Sequence, residues 1–241
     1  MGVDIWSLDF LLRLRCPPFG ATLFLGRQGF HLPDQLRDMA RQVVATHHPN
    51  VALEDLQGTS GYAEKLFEYL GATTIESLDY SDYEGASLIY DMNRPLPAEM
   101  HERFDTVFDG GTLEHVFNFP VAIENMKGLL KIGGRAIMVT PANNWLGHGL
   151  YQFSPELLYR VFSRRAGFEV EIMEMVEINS YPRPRHAEDP EAVGRRIEIQ
   201  RTAMPTYLCV CARKFMRTNP SEFMQSDYAS LWKAKDTPKN R

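Results

Sequence analysis

A small set of polar residues carries the chemical interest of this chain: Asp109, Glu114, His115, Asn143, Asn144, His148, Tyr151 and Gln152. All fall in one stretch, 104–168, which reads as strand, acidic turn, helix, glycine-marked turn, strand, polar and aromatic loop, then helix. That order puts them at the ends of adjacent buried strands, the edge where open α/β sheets bind ligands. His115 is the first choice as a general base that strips a proton from an acceptor hydroxyl or amine, because an unperturbed histidine titrates at about 6.5. His148 and Tyr151 are second choices. The plain alternative for His115 is a satisfied histidine near a helix N-terminus. Glu114, Asn143, Asn144 and Gln152 are expected to contact the acceptor. Glycines 147 and 149 make the loop deformable enough for a lid, against the alternative of a surface loop with incidental polarity. Glu114 beside His115 could bind a divalent ion, but two adjacent residues do not make a site, so no metal is expected.

The elements that must position these residues follow from periodicity and punctuation. Residues 4–15 predict an amphipathic helix capped by Asp4 and ended by Pro17-Pro18. ATLFL (21–25) predicts the first strand, stopping at Gly26. Helices follow over 33–48 and 61–71, the second closing on Gly71. Strands are predicted at 73–80, ending in Asp79, at 87–92, ending around Asp91, and at 104–109, ending in Asp109. A helix over 116–130, opened by His115, leads through a Gly133-Gly134 turn to a strand at 135–140. Ser154 and Pro155 start another helix, with Gly167 at its end, and strands close the pattern at 168–178 and 206–215. Residues 220–235 predict a tail helix. Strands alternating with helices imply a mostly parallel sheet covered on both faces, with the two closing strands as an antiparallel pair at one edge.

Composition excludes several classes. The chain has 241 residues, 44% hydrophobic and 24% charged, which suits one α/β domain (1–218) with a C-terminal appendage (219–241). A net charge of −5 argues against a nucleic-acid partner. No apolar run approaches the roughly 20 residues of a membrane helix, and the first residues do not read as a secretory signal. A cytoplasmic location is expected, with Cys209 and Cys211 as buried thiols on one side of a strand. Arg183, Arg185, Arg195 and Arg196 form a basic cluster in sequence, fit either to meet an anionic acceptor group or to be a solvated face.

The segments FDTVFDGGTLEHVFN, LLKIGGRAIMVTP and SPELLYRVFSRRAGFEVE resemble class I S-adenosylmethionine-dependent methyltransferases, over about residues 20–215. The strings SLDYSDYEGASLIYDMNRPLP and NNWLGHGLYQFSPEL look like those of bacterial type 11-like members from glycan or secondary-metabolite neighbourhoods. The resemblance implies a Rossmann-like three-layer sandwich, with a seven-stranded, mostly parallel sheet whose last strand is antiparallel. It implies S-adenosyl-L-methionine as donor, S-adenosyl-L-homocysteine as product, and a small acceptor such as a sugar or glycan precursor. Gly26 then matches the glycine under the donor's methionine, and Asp79 the acid that accepts from the ribose hydroxyls. Asp91 matches the acid near the adenine amino group, with Tyr80 positioned to pack on the ring. Asp109 and Gly110 match the strand end beside the transferred methyl. The chain departs at the family's first motif: Leu23-Phe24-Leu25-Gly26-Arg27-Gln28-Gly29 has Phe24 in place of the acid and Gln28 in place of the second glycine. Arg27 and Gln28 would line the donor pocket. The segment from Gly26 to Asp79 far exceeds the usual ~20 residues, so a helical insertion at about 33–60 is expected to cap that pocket. The alternative function is a methyltransferase-like binding protein without catalysis. A homodimer through the amphipathic ends, 4–15 and 220–235, is left open.

Overall fold

The computed structural model describes residues 2–14, 16–178, 181–197, 202–217, 223–229 and 232. The chain starts with a two-residue strand, β1 (Gly2–Val3), and the helix α1 (Ile5–Arg13). Asp4 caps α1 by accepting from the Trp6 and Ser7 backbone N–H groups, while Ser7 Oγ accepts from the Asp4 N–H. The expected helix is therefore present. Its residues Ile5 to Leu12 are all buried within the chain, so it offers no free apolar stripe to a second subunit.

After α1 come β2 (Gly20–Leu25), β3 (Gly29–Phe30), α2 (Arg37–His47), α3 (Leu53–Leu56) and α4 (Glu64–Tyr69). They are followed by β4 (Ala72–Asp79), β5 (Leu88–Ile89), β6 (Phe104–Asp109), α5 (Phe119–Leu129) and β7 (Leu130–Asn143). The chain continues through α6 (Pro155–Val161), β8 (Phe168–Glu177), β9 (Arg185–His186), α7 (Pro190–Val193) and β10 (Thr206–Lys214). The main sheet has eight strands in the order β5-β4-β2-β6-β7-β10-β8-β9. Every pairing from β5 across to β7 is parallel, and β10 runs antiparallel to both β7 and β8. This is the mostly parallel, Rossmann-like α/β arrangement expected from the sequence, with β9 as an extra edge strand beyond the seven expected.

The two closing strands, β8 and β10, pair antiparallel at this end of the sheet as expected, with β10 lying between β7 and β8, where Leu208 to Ala212 are apolar on both faces and wholly buried, and the short β9 beyond them. Cys209 and Cys211 both point into the same core cluster, and burial raises both thiols above their ordinary range. The Gly133-Gly134 pair is not a separate turn. It is an irregularity inside β7, where the register with β6 slips between the Phe104–Leu130 and Thr106–Arg135 partners.

One core layer lies under α1, α2 and α4, the other under α5 and α6. Phe24 belongs to the first. Its ring meets Phe67 at 4.6 Å, and Phe67 in turn meets Phe108 at 5.0 Å and Phe19 at 5.4 Å. The apolar residue in the acid's place is thus a core residue of the central strands. The insertion packs on the same side: His47 Nε2 lies 2.8 Å from Asp9 Oδ1 and His48 Nε2 is 3.1 Å from the Leu12 carbonyl, fastening α2 to α1.

Of the tail, Ser226 docks on α6 through its N–H and hydroxyl to the Glu156 carboxylate. Residues 226–229 and 232 of the predicted 220–235 helix are helical, while half of that span and the boundary at 218–219 lie outside the described residues. The basic cluster does not assemble: Arg185 pairs with Glu177 and Arg196 with Asp227. Among the described residues no helix is long and apolar enough to cross a membrane. Because Phe67 joins the ring cluster of β2 and β6, Phe67→Ala is expected to cost about 3–5 kcal/mol of stability, read from chemical denaturation midpoints.

Candidate active site

The site is built where β2, β4, β5 and β6 end. β2 stops at Gly26, whose φ of 69° lies in the left-handed region that glycine enters without strain, and whose N–H donates to the Leu78 carbonyl at 2.7 Å. Arg27 does not enter the cleft. Its guanidinium bonds Glu64 at 3.0 Å and the Glu84 carbonyl at 2.9 Å, and it lies 3.8 Å over the Tyr62 ring. Gln28 is wholly buried and satisfies the turn itself, donating Nε2 to the Leu25 and Gly26 carbonyls at 2.6 and 3.2 Å. Its Oε1 has no partner among the described residues and abuts Gly110, where any Cβ would collide with it.

Across this edge lies a cavity of about 440 Å³, lined by Leu25, Leu78, Asp79, Tyr80, Tyr90, Asp91, Met92, Asn93, Thr112, His115 and Val116. Asp79 ends β4 and accepts from the Tyr80 N–H at 2.6 Å. Asp91 accepts from Asn93 Nδ2 at 2.8 Å and from its backbone N–H at 3.0 Å, and these bonds hold its carboxyl below the usual range. The insertion at 33–60 contributes no lining residue, so it does not cap this cavity, having been drawn to the apolar face of α1 instead.

Beside the cavity sit two buried acids. Asp109 ends β6, and its Oδ1 accepts from the Thr112 and Leu113 N–H groups at 2.8 and 3.3 Å. Its Oδ2 has no partner among the described residues. Glu114 lies in a 3-10 turn (Leu113–His115), with both carboxylate oxygens buried and without a hydrogen-bond partner. Removal from water raises the pKa of both, and the neighbouring Glu114 charge raises Asp109 further. Because α5 starts only at Phe119, His115 closes this short turn rather than opening a helix. Burial, then the nearby His148, lowers its pKa.

The loop after β7 is fastened to the same turn. The Leu150 and Tyr151 N–H groups donate to the Glu114 carbonyl at 2.8 and 3.2 Å. Gly149, at φ 71°, is required there, since a Cβ would come within 2.9 Å of Glu114 Cγ. This clamp brings His148 Nε2 to 3.4 Å from Glu114 Oε1, with His115 Nε2 at 4.0 Å and the two imidazoles 5.0 Å apart. Trp145 supports His148 from behind, 5.1 Å away, and stacks on Tyr207.

The fold therefore unites Glu114, His115 and His148, and separately Asp79, Tyr80 and Asp91. It does not bring the other expected residues into the cavity. Tyr151 OH donates to the Phe117 carbonyl at 2.7 Å, and Gln152 Oε1 accepts from the Trp145 N–H at 3.0 Å. Asn143 Nδ2 donates to Thr202 Oγ1, and Asn144 Nδ2 to the Thr202 and Met204 carbonyls. These bonds brace the loop, which is anchored rather than free to act as a lid. Asn93 and Thr112 were not anticipated. Asn93 had a sequence signal, since an Asp two residues ahead of it suits an Asx-turn.

No family model and no curated protein matches this sequence. Solved structures do. The Burkholderia thailandensis 1,6-didemethyltoxoflavin-N1-methyltransferase, bound to 1,6-didemethyltoxoflavin and S-adenosylhomocysteine, is 15% identical, with a TM-score of 0.48 over 87% of this chain and 77% of that one. An S-adenosylmethionine-dependent methyltransferase from Mesorhizobium loti is 15% identical, with a TM-score of 0.46 over 88% of this chain and 98% of that one. A TehB-like methyltransferase from Corynebacterium glutamicum is 14% identical, with a TM-score of 0.45 over 88% and 90%. At these identities and scores, nothing about donor, acceptor or catalytic residues carries over.

The buried acids have a measurable consequence. With its folded pKa raised, Glu114 keeps its proton in the native state above the ordinary carboxylate range, where the unfolded chain has lost it. Its contribution is present at low pH and is lost as pH rises through the folded pKa. Glu114→Gln removes that dependence, so its stability relative to the unmodified chain is expected to rise with pH by up to about 1.4 kcal/mol per pH unit. Thermal unfolding compared at about pH 5 and about pH 8 checks it.

Proposed function

We propose that this chain is an S-adenosylmethionine-dependent methyltransferase that moves a methyl group to an oxygen or nitrogen of a small, sugar-like acceptor. One observation carries the reading: a nucleoside-sized cavity bearing Asp79 and Asp91 at the carboxyl ends of consecutive strands opens beside two buried acids whose hydrogen bonding is incomplete among the described residues. Asp79 has the place and chemistry to accept from vicinal ribose hydroxyls, and the ionised Asp91 to accept from an adenine amino group. Tyr80 offers an exposed ring over that space. The donor is a cation, and Asp109 Oδ2, the Glu114 carboxylate and Gln28 Oε1 supply acceptor atoms without a hydrogen-bond partner among the described residues. When bound, the sulfonium supplies an electrophilic methyl group.

The protein's own task is to align the acceptor atom with that methyl, exclude water and take up one proton. His115 lines the cavity, and partial burial and the nearby His148 lower its pKa, so it is the residue placed to receive the proton; His148 lies beside it. Glu114 Oε1 stands 3.4 Å from His148 Nε2 and 4.0 Å from His115 Nε2. A second reading, a binding protein without catalysis, draws on Gln28 and Arg27. The first fills the opening turn, and the second is committed to Glu64 and Glu84 rather than to a ligand.

Titration calorimetry with S-adenosylhomocysteine tests the donor site. Binding is expected, and Asp79→Ala should weaken it by about 1–3 kcal/mol through loss of buried acceptors for the ribose. Equal affinity in the two proteins would remove Asp79 from the site, and no binding by either would leave the fold without this function.

A further inference from the structure

Glu114, His115 and His148 can present three ligand atoms that all lie within 4.8 Å of one another. In tetrahedral coordination with bonds of about 2.0–2.1 Å, ligand atoms sit about 3.4 Å apart. Glu114 Oε1 and His148 Nε2 are already at 3.4 Å; His115 Nε2, at 4.0 Å from Glu114 Oε1 and within 4.8 Å of the His148 ligand atom, has to move inward toward both. Both imidazoles have about 44% of the side chain exposed, so a rotation of His115 meets no packed wall. Glu114 is the opposite case. Its side chain is 1% exposed, is held by the clamp of loop N–H groups on its own carbonyl, and has neither oxygen satisfied. A carboxylate taken out of water in this way requires either a proton or a cation.

We propose that Glu114, His115 and His148 bind a divalent ion of the zinc class, with its remaining coordination position open toward the cavity that His115 lines. Two imidazoles and one carboxylate are borderline-soft ligands that suit zinc better than magnesium or calcium, which take oxygen sets. Three protein ligands leave a fourth position for a water or substrate atom, the pattern of reactive rather than structural zinc. Thr140 Oγ1, buried next to Glu114 without a partner, is the donor available to the carboxylate oxygen that does not face the ion. The pair Glu114 and His115 is adjacent in sequence and incomplete; His148 reaches it only because Gly149 lets the loop lie against Glu114.

The role of the ion rests on the methyl-transfer reading; its binding does not. An acceptor hydroxyl coordinated at the open position loses its proton to solvent at lower pH than a free one. The resulting oxygen lone pair forms the new bond to the methyl carbon as the carbon–sulfur bond breaks, and that electron pair returns to sulfur as a neutral thioether. With the ion bound, His115 would serve as a ligand rather than as the base, and the acceptor proton would leave to solvent.

Competition of the full chain against a chromogenic zinc chelator tests the site directly. One ion per chain is expected, with affinity reduced tenfold or more in His115→Ala, in His148→Ala and in Glu114→Gln. His101→Ala, at a histidine beside Gly128, should bind as the unmodified chain does. Cobalt(II) added to the unmodified chain should give the visible absorption of a tetrahedral site, lost in His148→Ala. No saturable zinc binding, or equal affinity in all three ligand variants, would overturn the proposal. S-adenosylhomocysteine calorimetry on the same preparations separates the two readings. A chain that takes the nucleoside but no zinc loses only the metal site, and one that takes zinc but no nucleoside loses only the donor site.

Discussion

Glu114 and Asp109 are held out of water at the end of β6 with no lysine or arginine paired to them among the described residues and only the imidazoles of His115 and His148 near Glu114, and much of the site's structure answers to that fact. Burying a carboxylate is costly unless it is protonated or compensated. The protein meets part of the cost with backbone N–H groups on Asp109 Oδ1, and leaves the other carboxylate oxygens without a hydrogen-bond partner among the described residues. A cation brought to them would remove the penalty. Ligand binding and relief of electrostatic strain are therefore the same event in this reading.

The sheet makes such a focus possible. Parallel strands all end at one edge, so Asp79, Asp91 and Asp109, well separated in sequence, face one cleft. The central strands are fixed by the Phe19, Phe24, Phe67 and Phe108 rings on one face and by α5 and α6 on the other. At the opening turn Gln28 spends its amide on the turn carbonyls, while its Oε1, without a hydrogen-bond partner among the described residues, abuts Gly110. The parallel β1–β3 ladder runs next to it, with Gly2 N–H donating to the Gly110 carbonyl. The cleft is thus more closely built at the turn after β2 than beside Asp79 and Asp91, where a cavity remains.

Loop and insertion illustrate how packing reassigns residues that look chemical. Asn143, Asn144 and Gln152 are polar and near the strand ends, yet their amides saturate the backbone of the loop and of residues 202–204. The insertion after β2 had the length to close the donor cleft, but its apolar face found α1 first. In each case the polar or apolar atom took the nearest partner that satisfied it, which is a tertiary outcome.

Order and spacing in the sequence determined the α/β class, the parallel run of strands, the antiparallel β10 and the acids at the strand ends, because periodicity and glycine punctuation are local signals. They also marked His115, Glu114 and His148 individually. Only the tertiary structure decided that β10 inserts between β7 and β8, that Phe24 is core, and that Gly149 serves a close approach rather than a hinge. It alone joined His148 to Glu114 and His115, since that contact depends on a backbone clamp between a 3-10 turn and a loop more than one strand away. Long-range contacts of this kind leave no period in the chain, so the reactive cluster became visible only when the strands were in register.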